Sequence, residues 1–142
     1  MTTKIFVNLP VKDLKGSMAF FEKLGFRINP QFTDDTAACL VISDDIYTML
    51  LTHAKFKEFT KKQIVDATKF TEVLTALSTD SKAKVDELVH AAIKAGGTEA
   101  RDPMDFGFMY GRSFNDLDGH IWEVVWMDPS HNPAKLKGHQ PV

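Results

Sequence analysis

The feature that most constrains this chain is that its pattern runs twice. A short apolar strand at 5–9, closed by Pro10, leads to Asp13, a helix-capping residue, and to a helix with Met18, Phe21 and Leu24 at helical spacing that stops at Gly25. Strand-like pieces follow at 27–32, 36–43 and 46–52, the last two joined by the turn residues Ser43-Asp44-Asp45. The order then restarts. A strand at 70–79 precedes Asp80, read as an N-cap, and Val85, Leu88, Val89, Ala92 and Ile93 form an amphipathic stripe ended by Gly96-Gly97. Strands at 98–101, 106–115 and 120–127 complete the second unit, and Asp116-Leu117-Asp118-Gly119 marks a hairpin between the last two.

One β-α-β-β-β unit cannot cover both its sheet and its helix. Two such units in 142 residues therefore belong to one domain. The expected class is α+β: two βαβββ modules forming a curved mixed sheet with a concave pocket. The boundaries expected are about 4–53 for module one, a bridging helix at about 55–66, about 69–128 for module two, and a polar, Pro-containing tail at 131–142 around a domain of 1–130.

Composition narrows the function. Lys+Arg is 17 against Asp+Glu 19, a formal net charge of −2, which gives no basic face for nucleic acid. No apolar run approaches the roughly 20 residues of a membrane span, and Met1-Thr2-Thr3-Lys4 opens without a signal-peptide pattern. A single cysteine, Cys39, forms no internal disulfide, and sits in a small-residue core stretch. These features point to a cytoplasmic protein.

Glu123 stands in an apolar strand, Ile121-Trp122-Glu123-Val124-Val125, where a carboxylate needs a partner. A two-residue turn between Asp116 and Gly119 places Arg112 opposite Glu123, with Tyr110 and Phe114 on the same face. The pair is either a cross-strand structural link or the floor of a pocket. Trp122 and Trp126 face the other side, as core. Phe106, Phe108 and Tyr110 adjoin Gly107 and read as pocket lining. Asn8 shares the face of Phe6, and Glu72 that of Leu74. His53 follows the fourth strand, His120 packs the turn, His90 is solvated, and His131 and His139 lie in the tail.

The duplicated pattern, with Val11-Lys12-Asp13-Leu14, Phe20-Phe21, Leu24-Gly25-Phe26 and Asn-Asp-Leu-Asp-Gly-His-Ile-Trp-Glu at 115–123, resembles the vicinal oxygen chelate superfamily of glyoxalases, bleomycin-resistance proteins and extradiol dioxygenases. The block Gly107–Phe114 is similar to a branch described as predicted lactoylglutathione lyases. The resemblance implies four metal-ligand positions. They fall here on Phe6, Leu50, Leu74 and Glu123, and only the last can donate to a metal. What it then implies is a protein without metal or other cofactor, a homodimer. Its cup binds a small, largely apolar or aromatic molecule through Phe6, Asn8, Leu50, Leu74, Phe108, Tyr110, Arg112 and Glu123. The alternatives are a lyase or isomerase with Glu123 as catalytic acid/base, or a structural dimer with a filled pocket.

Overall fold

A computed structural model describes residues 2–131; the tail from 132, including His139, lies outside the described residues. β1 (Ile5–Val11), α1 (Leu14–Lys23), β2 (Arg27–Asn29), β3 (Ala37–Val41) and β4 (Ile46–Thr52) form the first module. After the single turn α2 (His53–Phe56) come β5 (Leu74–Ser78), α3 (Lys82–Lys94), β6 (Thr98–Glu99), β7 (Met104–Asp105), β8 (Met109–Asn115) and β9 (Ile121–Met127). The sheets repeat one topology: β1-β4-β3-β2 in the first and β5-β9-β8-β6 in the second, with β7 beside β8. In both, the first strand is parallel to the last and the remaining pairings are antiparallel. The α+β class and the duplicated βαβββ plan are as the sequence leads one to expect.

Local chemistry sets the helix ends. The Asp13 carboxylate accepts the Gly16 N–H at 3.0 Å and opens α1. In α3 the cap is Ser81, accepting from Lys84 N–H at 3.1 Å, and not Asp80 one residue earlier. The bridging helix expected at 55–66 shortens to α2, capped by Thr52. Beyond Phe56 the sequence has no apolar stripe to lay on a sheet, so residues 57–73 cross as an irregular strap.

The two helix-facing sheet surfaces share one core. Leu9, Val11, Leu40 and Leu50 from the first sheet join Phe114, Trp122 and Val124 from the second, with Val85, Val89 and Ala92 of α3. Phe20 and Phe21 of α1 bind the halves together, with ring centroids 6.1 Å from Phe114 and 5.1 Å from Trp122 respectively. Each such ring or branched side chain contributes about 1.5–3 kcal/mol on burial. The β8–β9 turn adds polar ties. Asp118 accepts from Lys12 N–H (2.8 Å) and the Ser17 hydroxyl (3.3 Å), and His120 Nε2–H donates to the Pro10 carbonyl (2.7 Å). Below them Asp116 is buried and accepts from the Trp122 indole and from the N–H groups of Asp118 and His120. Burial pushes its carboxyl above the ordinary range, although His120 and these donors oppose the shift. No helix of the described residues is long and apolar enough to cross a membrane.

Candidate functional site

The strand β9 sends Trp122 and Val124 into the core, so Glu123 faces the opposite, open side of the sheet. Its partner is Arg101, from the irregular link after β6. Nε reaches Oε1 at 3.4 Å and Nη2 reaches Oε2 at 3.1 Å. Both side chains are half-buried.

The expected Arg112–Glu123 pairing does not form. Glu123 is opposite Ser113, and Arg112 is opposite Val124. The cause is the turn: Asp116 N–H bonds to the His120 carbonyl, three residues intervene, and Gly119 takes φ +90°. One added residue moves Arg112 and Tyr110 to the helix side of the sheet. There Arg112 is held by Glu99 and by Asp86 (2.9 Å) and lies 3.2 Å from His90 Nε2, while the Tyr110 hydroxyl donates to Asp86 (2.7 Å). The Tyr110 hydrogen bond holds the Asp86 carboxyl below its usual value, helped by Arg112, and raises the Tyr110 phenol. Arg112 and Tyr110 thus clasp α3 to β8, away from the open face.

Of the other expected contacts, Phe6 and Leu74 are on open faces, about half exposed, and Phe6 stacks on Tyr47 at 4.8 Å. Leu50 does not join them. It is fully buried in the core opposite Leu9, because its strand phase puts Met49 and Leu51 on the outer side. Phe108 stacks at the rim on His131 (4.0 Å) and Phe106 (6.3 Å). These residues do not suit the metal that such a site would require. Phe6 and Leu74 have no lone pair to give, Leu50 points away, and both Glu123 oxygens already face Arg101. Among the described residues no three His, Cys, Asp or Glu side chains gather as a metal-holding group.

A cavity forms elsewhere, where the strap passes the edge of β1. It has a volume of about 290 Å³. Asn8, Leu9 and Pro10 line one side, Phe56, Ile64, Val65, Phe70 and Val73 roof it, and His120 closes the end. Lys62 and Glu72, of opposite charge, stand at its margin. A shallower hollow of about 450 Å³ shares Asn8, Phe56 and Thr60 and runs on to Leu51 and Phe59. A third of about 200 Å³ lies across strap residues Ile64–Ala67, walled by Lys12, His53, Asp66, Asp118 and again His120. The strap is fixed at Gly119, where a Cβ would come within 2.8 Å of the Ala67 carbonyl and the Thr68 backbone. Of the residues expected to bind ligand, Asn8 is brought to this cleft. Its roof residues were missed because a strap without period gives no pattern to read. Their only signal is five large apolar residues, Phe59, Ile64, Val65, Phe70 and Val73, in a segment otherwise rich in lysine and threonine.

Residues 3–43 match the family described as bleomycin resistance protein-like N-terminal. The chain is similar to the solved structure of hypothetical protein SA1046 from S. aureus, with 30% identity over 89% of this chain and 95% of that one, at a TM-score of 0.74. A glyoxalase/bleomycin resistance protein/dioxygenase family enzyme from Burkholderia phytofirmans PsJN shares the fold at 19% identity, 89% and 99% coverage, and a TM-score of 0.72. The bleomycin resistance determinant encoded on the transposon Tn5 does so at 21% identity, 89% and 99% coverage, and a TM-score of 0.62. No curated protein matches the chain.

Proposed function

Because the chain belongs to the vicinal oxygen chelate superfamily, yet has hydrocarbon where a metal would need donors, we propose that it binds a small, largely apolar or aromatic molecule without a metal. The observation that carries this reading is the strap cleft, an apolar cavity of about 290 Å³ between β1 and residues 57–73. That volume is at the lower end of the roughly 300–1,000 Å³ of small-molecule sites, and such sites combine apolar walls with a few polar groups. Here Asn8 and His120 are among those groups, with Thr60, Gln63 and Thr71. Glu123 makes a poor acid or base by comparison. A proton moving to or from its carboxylate must first break a two-point bond to an arginine.

The test is a calorimetric titration with naphthalene, in buffer containing EDTA. The expected result is one saturable site per chain, weakened at least tenfold by Val73→Trp, which fills the cleft, and unchanged by Glu123→Gln. No saturable binding, or binding that appears only on adding a divalent metal, would overturn the reading.

A further inference from the structure

The cleft's polar groups are already partly committed, and what they have left defines the complement they take. His120 Nε2 lies 2.7 Å from the Pro10 carbonyl oxygen, which can only accept, so Nε2 carries the proton. In the neutral ring Nδ1 is therefore an acceptor, and it has no partner among the described residues. The His120 backbone N–H is fixed by Asp116, so the ring is anchored at both ends of the residue. Asn8 spends one N–H on the Phe6 carbonyl at 3.2 Å and keeps its amide oxygen and its second N–H. Lys62 and Glu72 offset each other, so the margin offers no net charge to attract an ion. Thr60, Gln63 and Thr71 add polar side chains, and apolar side chains supply the rest of the walls.

An unpaired ring acceptor, held in place at the end of a largely apolar cavity, is met by a ligand group that donates. Resting on the binding function proposed above, we infer that the strap cleft selects an uncharged aromatic molecule of one or two rings bearing a hydroxyl group, and that His120 is the residue that selects it by accepting the hydroxyl hydrogen bond at Nδ1. A bare hydrocarbon leaves that acceptor dry and unpaired, at a cost of the order of a lost hydrogen bond. A carboxylate has no proton to give and sets its oxygens against that lone pair.

Three naphthalene probes separate these outcomes, titrated by calorimetry at pH 7.5: naphthalene, 2-naphthol and 2-naphthoate. The expected order has 2-naphthol about tenfold tighter than naphthalene and 2-naphthoate weakest. Equal binding of naphthalene and 2-naphthol, or tightest binding of 2-naphthoate, overturns the hydroxyl selection while leaving an apolar cleft. Failure of all three to bind overturns the cleft as a site. His120→Phe is expected to bring the ratio of 2-naphthol to naphthalene affinity down to about one. Because that change also removes the Pro10 tie, a second readout uses the unmutated protein with ¹⁵N-labelled histidine. The His120 Nδ1 resonance should move on adding 2-naphthol and stay in place with naphthalene. A resonance that stays in place with bound 2-naphthol overturns the assignment to His120.

Discussion

Glu123 and Arg112 stand one register step apart, and that step puts one on the open face and the other under α3. The energetic consequence is testable in pairs. Arg101→Met should destabilise the fold by about 1–2 kcal/mol, less than for a fully buried pair because water reaches both side chains. Arg101→Met with Glu123→Leu should recover part of that loss in a chemical-denaturation cycle. Arg112→Met and Glu123→Leu should instead be additive within about 0.5 kcal/mol, as expected of groups with no contact. A strong Arg112–Glu123 coupling would restore the two-residue turn and refute the observed register. Gly119 is the other decisive residue. Its φ of +90° and the 2.8 Å approach of the strap backbone leave no room for a side chain. Gly119→Ala should cost about 1–2 kcal/mol from backbone strain alone, and more as the strap is pushed off. The check is the melting temperature together with loss of naphthalene binding; an unchanged melting temperature would show that the strap does not rest there.

At the scale of elements, α3 is held to its sheet by more than its apolar stripe. Asp86 bonds both Tyr110 and Arg112, and its carboxyl is lowered from the ordinary 3.8, first by the Tyr110 hydrogen bond. A lowered folded value means that this stabilisation is present above about pH 4 and is lost as pH falls through the folded value. Asp86→Asn should therefore lower stability at pH 7 and flatten the acid limb of a stability–pH curve. A variant whose acid limb keeps the parent's slope would show that the clasp carries little. Asp116 acts with the opposite sign. Its raised carboxyl favours the folded state at low pH, and that contribution is lost as pH rises through the folded value. The elements with period were legible in the sequence: Asp13 as cap, the α3 stripe, and the alternation of Glu123 with Trp122 and Val124. Turn geometry was not. Whether Asp116-Leu117-Asp118-Gly119 holds two or three loop residues depends on Asp116 bonding His120, which spacing does not reveal. The candidate site was less legible still. Asn8 was reached from its face on β1, but the cleft itself depends on a strap whose path is set by its landing on Gly119.

For the whole molecule, the same duplication that gives one core also leaves apolar surface uncovered. Ile5, Phe6, Ile46 and Leu74 are each about half exposed along β1, β4 and β5, and Met104, Phe106 and Met127 lie at the other rim. Isolated exposed side chains are ordinary, but a grouping along strand edges invites pairing with a second copy. We expect a homodimer, with sedimentation equilibrium at micromolar concentration giving about twice the 15.9 kDa chain mass. Phe6→Lys with Leu74→Lys should shift it to monomer, and a parent protein that already sediments as a monomer would contradict the expectation.

The central claim is that the strap cleft, and no metal centre, holds the ligand. It is tested most directly by recording methyl resonances of isotope-labelled protein during a naphthalene titration in EDTA. The account predicts saturable shifts confined to Leu9, Ile64, Val65 and Val73, which line the cleft. Shifts confined to Leu74, Ile121 and Val125 around Glu123, or shifts that appear only after a divalent metal is added, would contradict it.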